Sequence, residues 1–164
     1  MPKKFNQRRA NNVSTFEDTL KYVKQKSLKV KDGIKYSGIM SDYKFKGEKK
    51  TEIYIENVKC VEKCLELRAS YDRVFLLNMA SDFSPGGGVT RGAQAQEEDI
   101  CRKTSLYPTL NKKLYPLHND QLIYTEDVYI VRDIDASFLK KPVDISVGSM
   151  AAIRRPQLYH GGSY

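Results

Sequence analysis

The chain has 164 residues, 28 Lys and Arg against 20 Asp and Glu for a net charge of +8, 40% hydrophobic residues and a mean hydropathy of −0.56, which predicts one soluble domain able to bury roughly 68–70% of its unfolded surface. Cys60, Cys64 and Cys101, with His118 and His160 the only histidines, fit no disulfide framework and no zinc-ligand spacing. No apolar leader and no run of about 18 apolar residues occurs, so no membrane partner is expected, and an intracellular, cytoplasmic protein is, the nucleus remaining open.

The excess charge lies early. Residues 1–50 hold 14 basic and 5 acidic groups, whereas residues 51–164 hold 14 and 15. That asymmetry suits a polyanion, either nucleic acid or another phosphate polymer, or else a solvated lysine face. Within it, Ser14-Thr15-Phe16-Glu17 reads as a capping box opening an amphipathic helix through Phe16, Leu20 and Val23 to about Lys26. Residues 31–50 show no sustained period and read as a long loop or weak strands.

Residues 53–58, rich in β-branched and aromatic side chains, predict a strand, and Val61, Cys64, Leu65 and Arg68 a following helix. Cys60 and Cys64, four apart, read as packing residues. Residues 73–80 form a continuous apolar run, as in a central parallel strand covered on both faces. Further strands are expected over 122–125, 128–132 and 143–150, separated by polar or Pro-containing segments such as Lys140-Lys141-Pro142. The order of elements predicts an α/β sheet sandwich.

Between strand and helix stand Ser84-Pro85-Gly86-Gly87-Gly88-Val89-Thr90-Arg91-Gly92 and the helix-prone 93–102. This is the layout of a phosphate or sugar site beyond the carboxyl end of a strand. Taken alone, a glycine triplet marks a plain loop as readily as a binding loop. Glu97 and Glu98 put two carboxylates early in the helix, where acidic residues also stabilise the helix dipole by about 0.3–1 kcal/mol. Adjacent helical residues point about 100° apart, so a division of labour suits them better than the facing pair of a retaining glycosidase. Cys101 is a candidate thiol nucleophile, but neighbouring carboxylates disfavour its thiolate and a core thiol is the plainer reading.

Leu77-Asn78-Met79-Ala80-Ser81 through Pro85-Gly86-Gly87-Gly88, then Gly92-Ala93-Gln94-Ala95-Gln96-Glu97-Glu98 and Ser105-Leu106-Tyr107, resembles the microbial-type poly(ADP-ribose) glycohydrolases. The resemblance is looser around Arg9, Thr19-Leu20, 58–65, Ile123-Tyr124 and Val131-Arg132-Asp133. It implies a macrodomain-like three-layer α/β/α sandwich with a mixed central sheet. The implied activity is cleavage of ribose–ribose bonds in poly(ADP-ribose), releasing ADP-ribose, with no cofactor and no metal. By position, Glu98 is implied as general acid and base, Glu97 as the grip on the scissile ribose, and Gly86, Gly87, Gly88, Val89 and Thr90 as lining the substrate, with Asn78 and Gln96 supporting the site. The implied partners are poly(ADP-ribose), ADP-ribosylated proteins and ADP-ribose as product or ligand.

Relatives continue past the segment resembling Ser149-Met150-Ala151-Ala152 into another helix, another strand and a second glycine-rich phosphate loop, which Arg154-Arg155-Pro156 and Gly161-Gly162-Ser163 do not replace. The expected organisation is a basic helix-and-loop region over 1–50 belonging to the domain and a core over 51–164, incomplete at its C-terminus. The competing readings are a non-catalytic ADP-ribose-binding module or inactive remnant, and a basic nucleic-acid-binding domain, which no RNP, KH or zinc-finger pattern favours.

Overall fold

The computed structural model describes residues 2–38 and 50–152. The elements run α1 (Pro2–Gln25), β1 (Ile34–Ser37), α2 (Cys60–Arg68), β2 (Phe75–Ala80), α3 (Gln96–Lys103), β3 (Gln121–Arg132) and β4 (Phe138–Ala151), with short 3-10 turns after β2 and after α3. The strands form one mixed sheet in the order β1-β3-β4-β2. β3 is antiparallel to both β1 and β4, and β2 is parallel to β4. Among the described residues no helix is long and apolar enough to cross a membrane.

Strand periodicity assigns the two faces of this sheet. Leu76, Asn78 and Ala80 of β2, Ile123, Val128 and Ile130 of β3, and Ile145, Val147 and Ser149 of β4 are all buried. Their apolar members share one core with Phe16 of α1, Val61 and Cys64 of α2, and Ile100 and Cys101 of α3. The alternate residues Phe75, Leu77 and Met79 of β2 and Ile34 and Tyr36 of β1 face outward and are exposed. The described helices therefore pack on one side of a mixed α/β sheet, and the expected position of β2 is corrected. Among the described residues it lies at the edge of the sheet and is buried on one face only, because an apolar run does not by itself reveal which of its two faces finds a neighbour.

Four further expectations are corrected. The first helix does not begin at Ser14. It runs from Pro2, and Thr15 donates to the carbonyl of Asn11 within it. Tertiary contact extends the helix backward, since Asn12 Nδ2 donates to Gly92 O at 3.0 Å. Residues 53–58 form no strand. Ile55 is 96% exposed, and strand propensity without a pairing partner yields no ladder. The third and fourth expected strands are one continuous β3, interrupted at Glu126-Asp127 by a register shift with Asp127 at φ 53°. β4 likewise runs through Lys140-Lys141-Pro142, where a second register shift beyond Ile130 spares Pro142 a ladder bond. Of the 31–50 region, 34–37 form β1 and 39–49 lie outside the described residues.

A buried polar knot ties α1 to α3 and to the sheet. Thr19 Oγ1, wholly buried, donates to Arg102 O at 2.6 Å and accepts from Arg132 Nε at 2.8 Å. Arg132 also donates to Ala136 O and lies 3.8 Å above the Phe138 ring, which stacks on Tyr22 at 4.2 Å. Burial lowers the pKa of Arg132. Removing the Thr19 hydroxyl leaves a charged donor without its acceptor, a loss of about 1–3 kcal/mol. Thr19→Val is expected to lower unfolding free energy by about that much in urea titrations, and an unchanged midpoint would show the knot to be dispensable.

Candidate active site

Past Ala80 the chain turns through 81–85 into the glycine triplet and returns as α3, whose first turn carries Glu97, Glu98 and Asp99. Gln96 anchors that turn to β2: its Oε1 accepts from Met79 N–H at 2.7 Å and its Nε2 donates to Leu77 O at 2.8 Å. Each carboxylate is then gripped by a backbone donor. Ser81 N–H donates to Glu97 Oε2 at 2.8 Å, and Gly88 N–H to Glu98 Oε1 at 2.7 Å. Gly87, at φ 58°, lies beneath both, and a Cβ there would stand 2.5 Å from Glu98 Oε1 and 2.9 Å from Glu97 Oε2. Only glycine fits this approach. Although adjacent helical residues diverge at their Cα atoms, the two side chains are long enough to be drawn together by donors from the strand end and from the loop.

Each carboxylate keeps its second oxygen, Glu97 Oε1 and Glu98 Oε2, buried and without a protein hydrogen bond among the described residues. Burial pushes the Glu97 carboxyl up to about 7, with the Glu98 charge adding to the rise, while Ser81 N–H and the Asn78 amide pull the other way. Burial and then the Glu97 charge raise the pKa of Tyr115, whose hydroxyl makes no hydrogen bond among the described residues. Cys101 is wholly buried, and its thiol is pushed well above its ordinary value by desolvation first and the two glutamates next, which opposes a thiolate nucleophile. Cys64 is likewise raised by burial, to about 11.

A cavity of about 460 Å³ opens over the carboxylates and is lined by Met79, Ala80, Ser81, Phe83, Ser84, Gly87, Gly88, Arg91, Ala95, Glu97 and Glu98. Of the residues singled out in the sequence, Gly87, Gly88, Glu97 and Glu98 come together on it. The others do not line it. Gly86 packs against the Tyr107 ring, Val89 belongs to the core and Thr90 is exposed away from the cavity wall. Asn78 lies wholly buried beneath the site with Nδ2 on Ser149 Oγ at 3.0 Å, and Gln96 spends its amide on β2. Ser81, Ser84 and Arg91 were not among the sequence candidates. A cation three residues past the glycine triplet was the available signal for Arg91. Among the described residues no three His, Cys, Asp or Glu side chains gather as metal ligands.

The raised carboxyl has a thermodynamic consequence. Glu97 binds its proton up to about pH 7 when folded but only to its ordinary value of 4.5 when unfolded. Its contribution to stability is therefore full below the unfolded value and is lost as pH rises to about 7. Glu97→Gln should flatten that fall. Urea midpoints of both proteins between about pH 4 and pH 8 measure the difference, and parallel curves would refute it.

Residues 3–133 match the family model of the microbial-type PARG catalytic domain. Among solved structures, the poly(ADP-ribose) glycohydrolase of Thermomonospora curvata is 23% identical over 87% of this chain and 64% of that chain, with a TM-score of 0.71. Bound to the inhibitor ADP-HPD, the Thermomonospora curvata enzyme aligns at 33% identity over 57% of this chain and 40% of that one, with a TM-score of 0.54. The Deinococcus radiodurans poly(ADP-ribose) glycohydrolase in complex with ADP-ribose is 34% identical over 57% of this chain and 42% of that chain, with a TM-score of 0.52. The chain thus spans between 40% and 64% of the length of these relatives. No curated protein matches it. The family match covers most of the chain, including the glycine triplet and both glutamates, and the chain belongs to the microbial-type PARG catalytic domain family.

Proposed function

We propose that the chain hydrolyses ribose–ribose glycosidic bonds of poly(ADP-ribose) and releases ADP-ribose. The observation that carries this reading is the pair of carboxylates over Gly87 on the cavity wall, each fixed through one oxygen by a backbone N–H, with the second oxygen buried and unbonded among the described residues. The close approach of the backbone at Gly87 and Gly88 and the Arg91 cation on the cavity wall suit an anionic sugar phosphate. The solved relatives are poly(ADP-ribose) glycohydrolases, one of them in complex with ADP-ribose.

In this mechanism Glu98 gives its proton to the leaving 2′-oxygen as the bond to the anomeric carbon breaks, and the bonding pair stays on that oxygen. The oxocarbenium-like ribose is stabilised by the substrate's own diphosphate. Water then attacks the anomeric carbon and returns a proton to Glu98, so one residue serves as acid and base. Glu97 grips a hydroxyl of the scissile ribose. Its carboxyl holds a proton up to about pH 7, which lets it donate as well as accept. Arg91, on the cavity wall, offers the diphosphate a cation.

Glu98→Gln keeps the shape and removes the acid and base that this mechanism assigns to Glu98. It is expected to bind ADP-ribose yet lose about 10²–10⁴-fold or more in polymer hydrolysis, whereas Glu97→Gln should lower both affinity and rate. Release of ADP-ribose from labelled polymer is the measurement. An equally active Glu98→Gln variant would refute the assignment, and wild-type binding without turnover would leave a binding module. Gly87→Val, which drives a side chain into both carboxylates, should abolish ADP-ribose binding measured by calorimetry, and unchanged affinity would remove the loop from the site.

A further inference from the structure

A second cavity, of about 430 Å³, lies on the other flank of the α3 N-terminus and shares only Ala95 with the cavity over Glu97 and Glu98. Four cations line it: Arg8 of α1, Lys59 beside the start of α2, and Arg102 and Lys103 of α3. Asp99 is the one acidic residue on its wall. Lys103 is only 5% exposed, and its ammonium makes no hydrogen bond among the described residues. Glu62 and Asp99 stand 3.5 and 3.6 Å from it, and the same two carboxylates stand 3.9 Å from Lys59 and 3.6 Å from Arg102. Four cations against these two carboxylates leave the cavity net positive, and Arg8 and Lys59 are exposed on it, a lining that suits an anion with several acceptor oxygens.

The position of this cavity matters as much as its charge. Resting on the proposed hydrolysis, the bond cleaved at the carboxylates joins two units, so one unit must leave the first cavity beside them. Ala95 lines both cavities, which places the cationic one next to the one over Glu97 and Glu98. We propose that this second cavity is a subsite for the diphosphate of the adjoining ADP-ribose unit, a contact that free ADP-ribose in the first cavity does not make.

The probe for the cavity is inorganic pyrophosphate, titrated calorimetrically into the wild-type chain, the double charge reversal Arg8→Glu/Lys59→Glu and Gly87→Val. Arg8 and Lys59 are exposed, so their reversal spares the core. Pyrophosphate should bind wild type and Gly87→Val alike and the reversal variant at least about tenfold more weakly. The reversal should also weaken poly(ADP-ribose) at least tenfold while leaving ADP-ribose affinity unchanged. Equal pyrophosphate or polymer affinity in wild type and the reversal variant would overturn the subsite alone, with ADP-ribose binding still supporting the first site. A wild-type chain that binds pyrophosphate but neither ADP-ribose nor polymer would overturn the hydrolase reading and the polymer assignment with it. Single-stranded RNA of matched charge displacing pyrophosphate as well as polymer does would assign the cavity to phosphate chains in general and overturn the subsite.

Discussion

Two backbone N–H groups, those of Ser81 and Gly88, hold the site together. Carboxylates on neighbouring helical residues repel one another, and buried they lose hydration as well. One charge-assisted bond apiece, at 2.8 and 2.7 Å, offsets part of that cost and fixes each side chain through a single oxygen. The donors come from different places, a strand end and a glycine loop, so strand, loop and helix must all be in register before either carboxylate is placed. Gly87 is the steric counterpart of this constraint: the space a β-carbon would take is where the two oxygens meet.

Precision at those oxygens depends on α3 being immobile, and most of the fold is arranged to that end. The start of the helix is bonded to β2 through Gln96, and its last turn receives the Thr19 hydroxyl of α1. Arg102 Nη1 donates to Ala93 O at 2.6 Å, tying the helix to the segment that leads into it. Phe16 meets Tyr107 edge to face at 4.9 Å, and the same Tyr107 ring backs Gly86. α1, far from the candidate site in sequence, thereby supports both the helix and the loop that line it.

The sequence disclosed the site better than it disclosed the sheet. The spacing from glycine triplet to Glu97-Glu98 is local, and local spacing survives into the fold almost unchanged. What it could not disclose was convergence. That depends on which backbone donors face the helix, and those belong to β2 and the loop. Val89 and Thr90 were drawn in by proximity to the glycines, yet a 3-10 turn at 89–91 rotates Val89 into the core and brings Arg91 to the cavity. The error over 53–58 has a related origin. Val, Ile and Tyr favour a pleated surface only where a partner strand exists, and pairing is a non-local property. β2 shows the same ambiguity in another form, since an unbroken apolar run is consistent with either one covered face or two.

The Gln96 amide has a consequence outside catalysis. Leu77 and Met79 turn their peptide groups away from β4, toward the open edge of the sheet, and the amide of Gln96 takes Leu77 O and Met79 N–H as a residue of a parallel strand would. A side chain thus imitates one rung of a ladder at the place where another chain could dock edge to edge. Phe75, Leu77 and Met79 are exposed on the outer face of that strand, and the amide occupies the rung through which a further strand would pair there, so the residue that anchors α3 also withholds Leu77 O and Met79 N–H from any incoming strand.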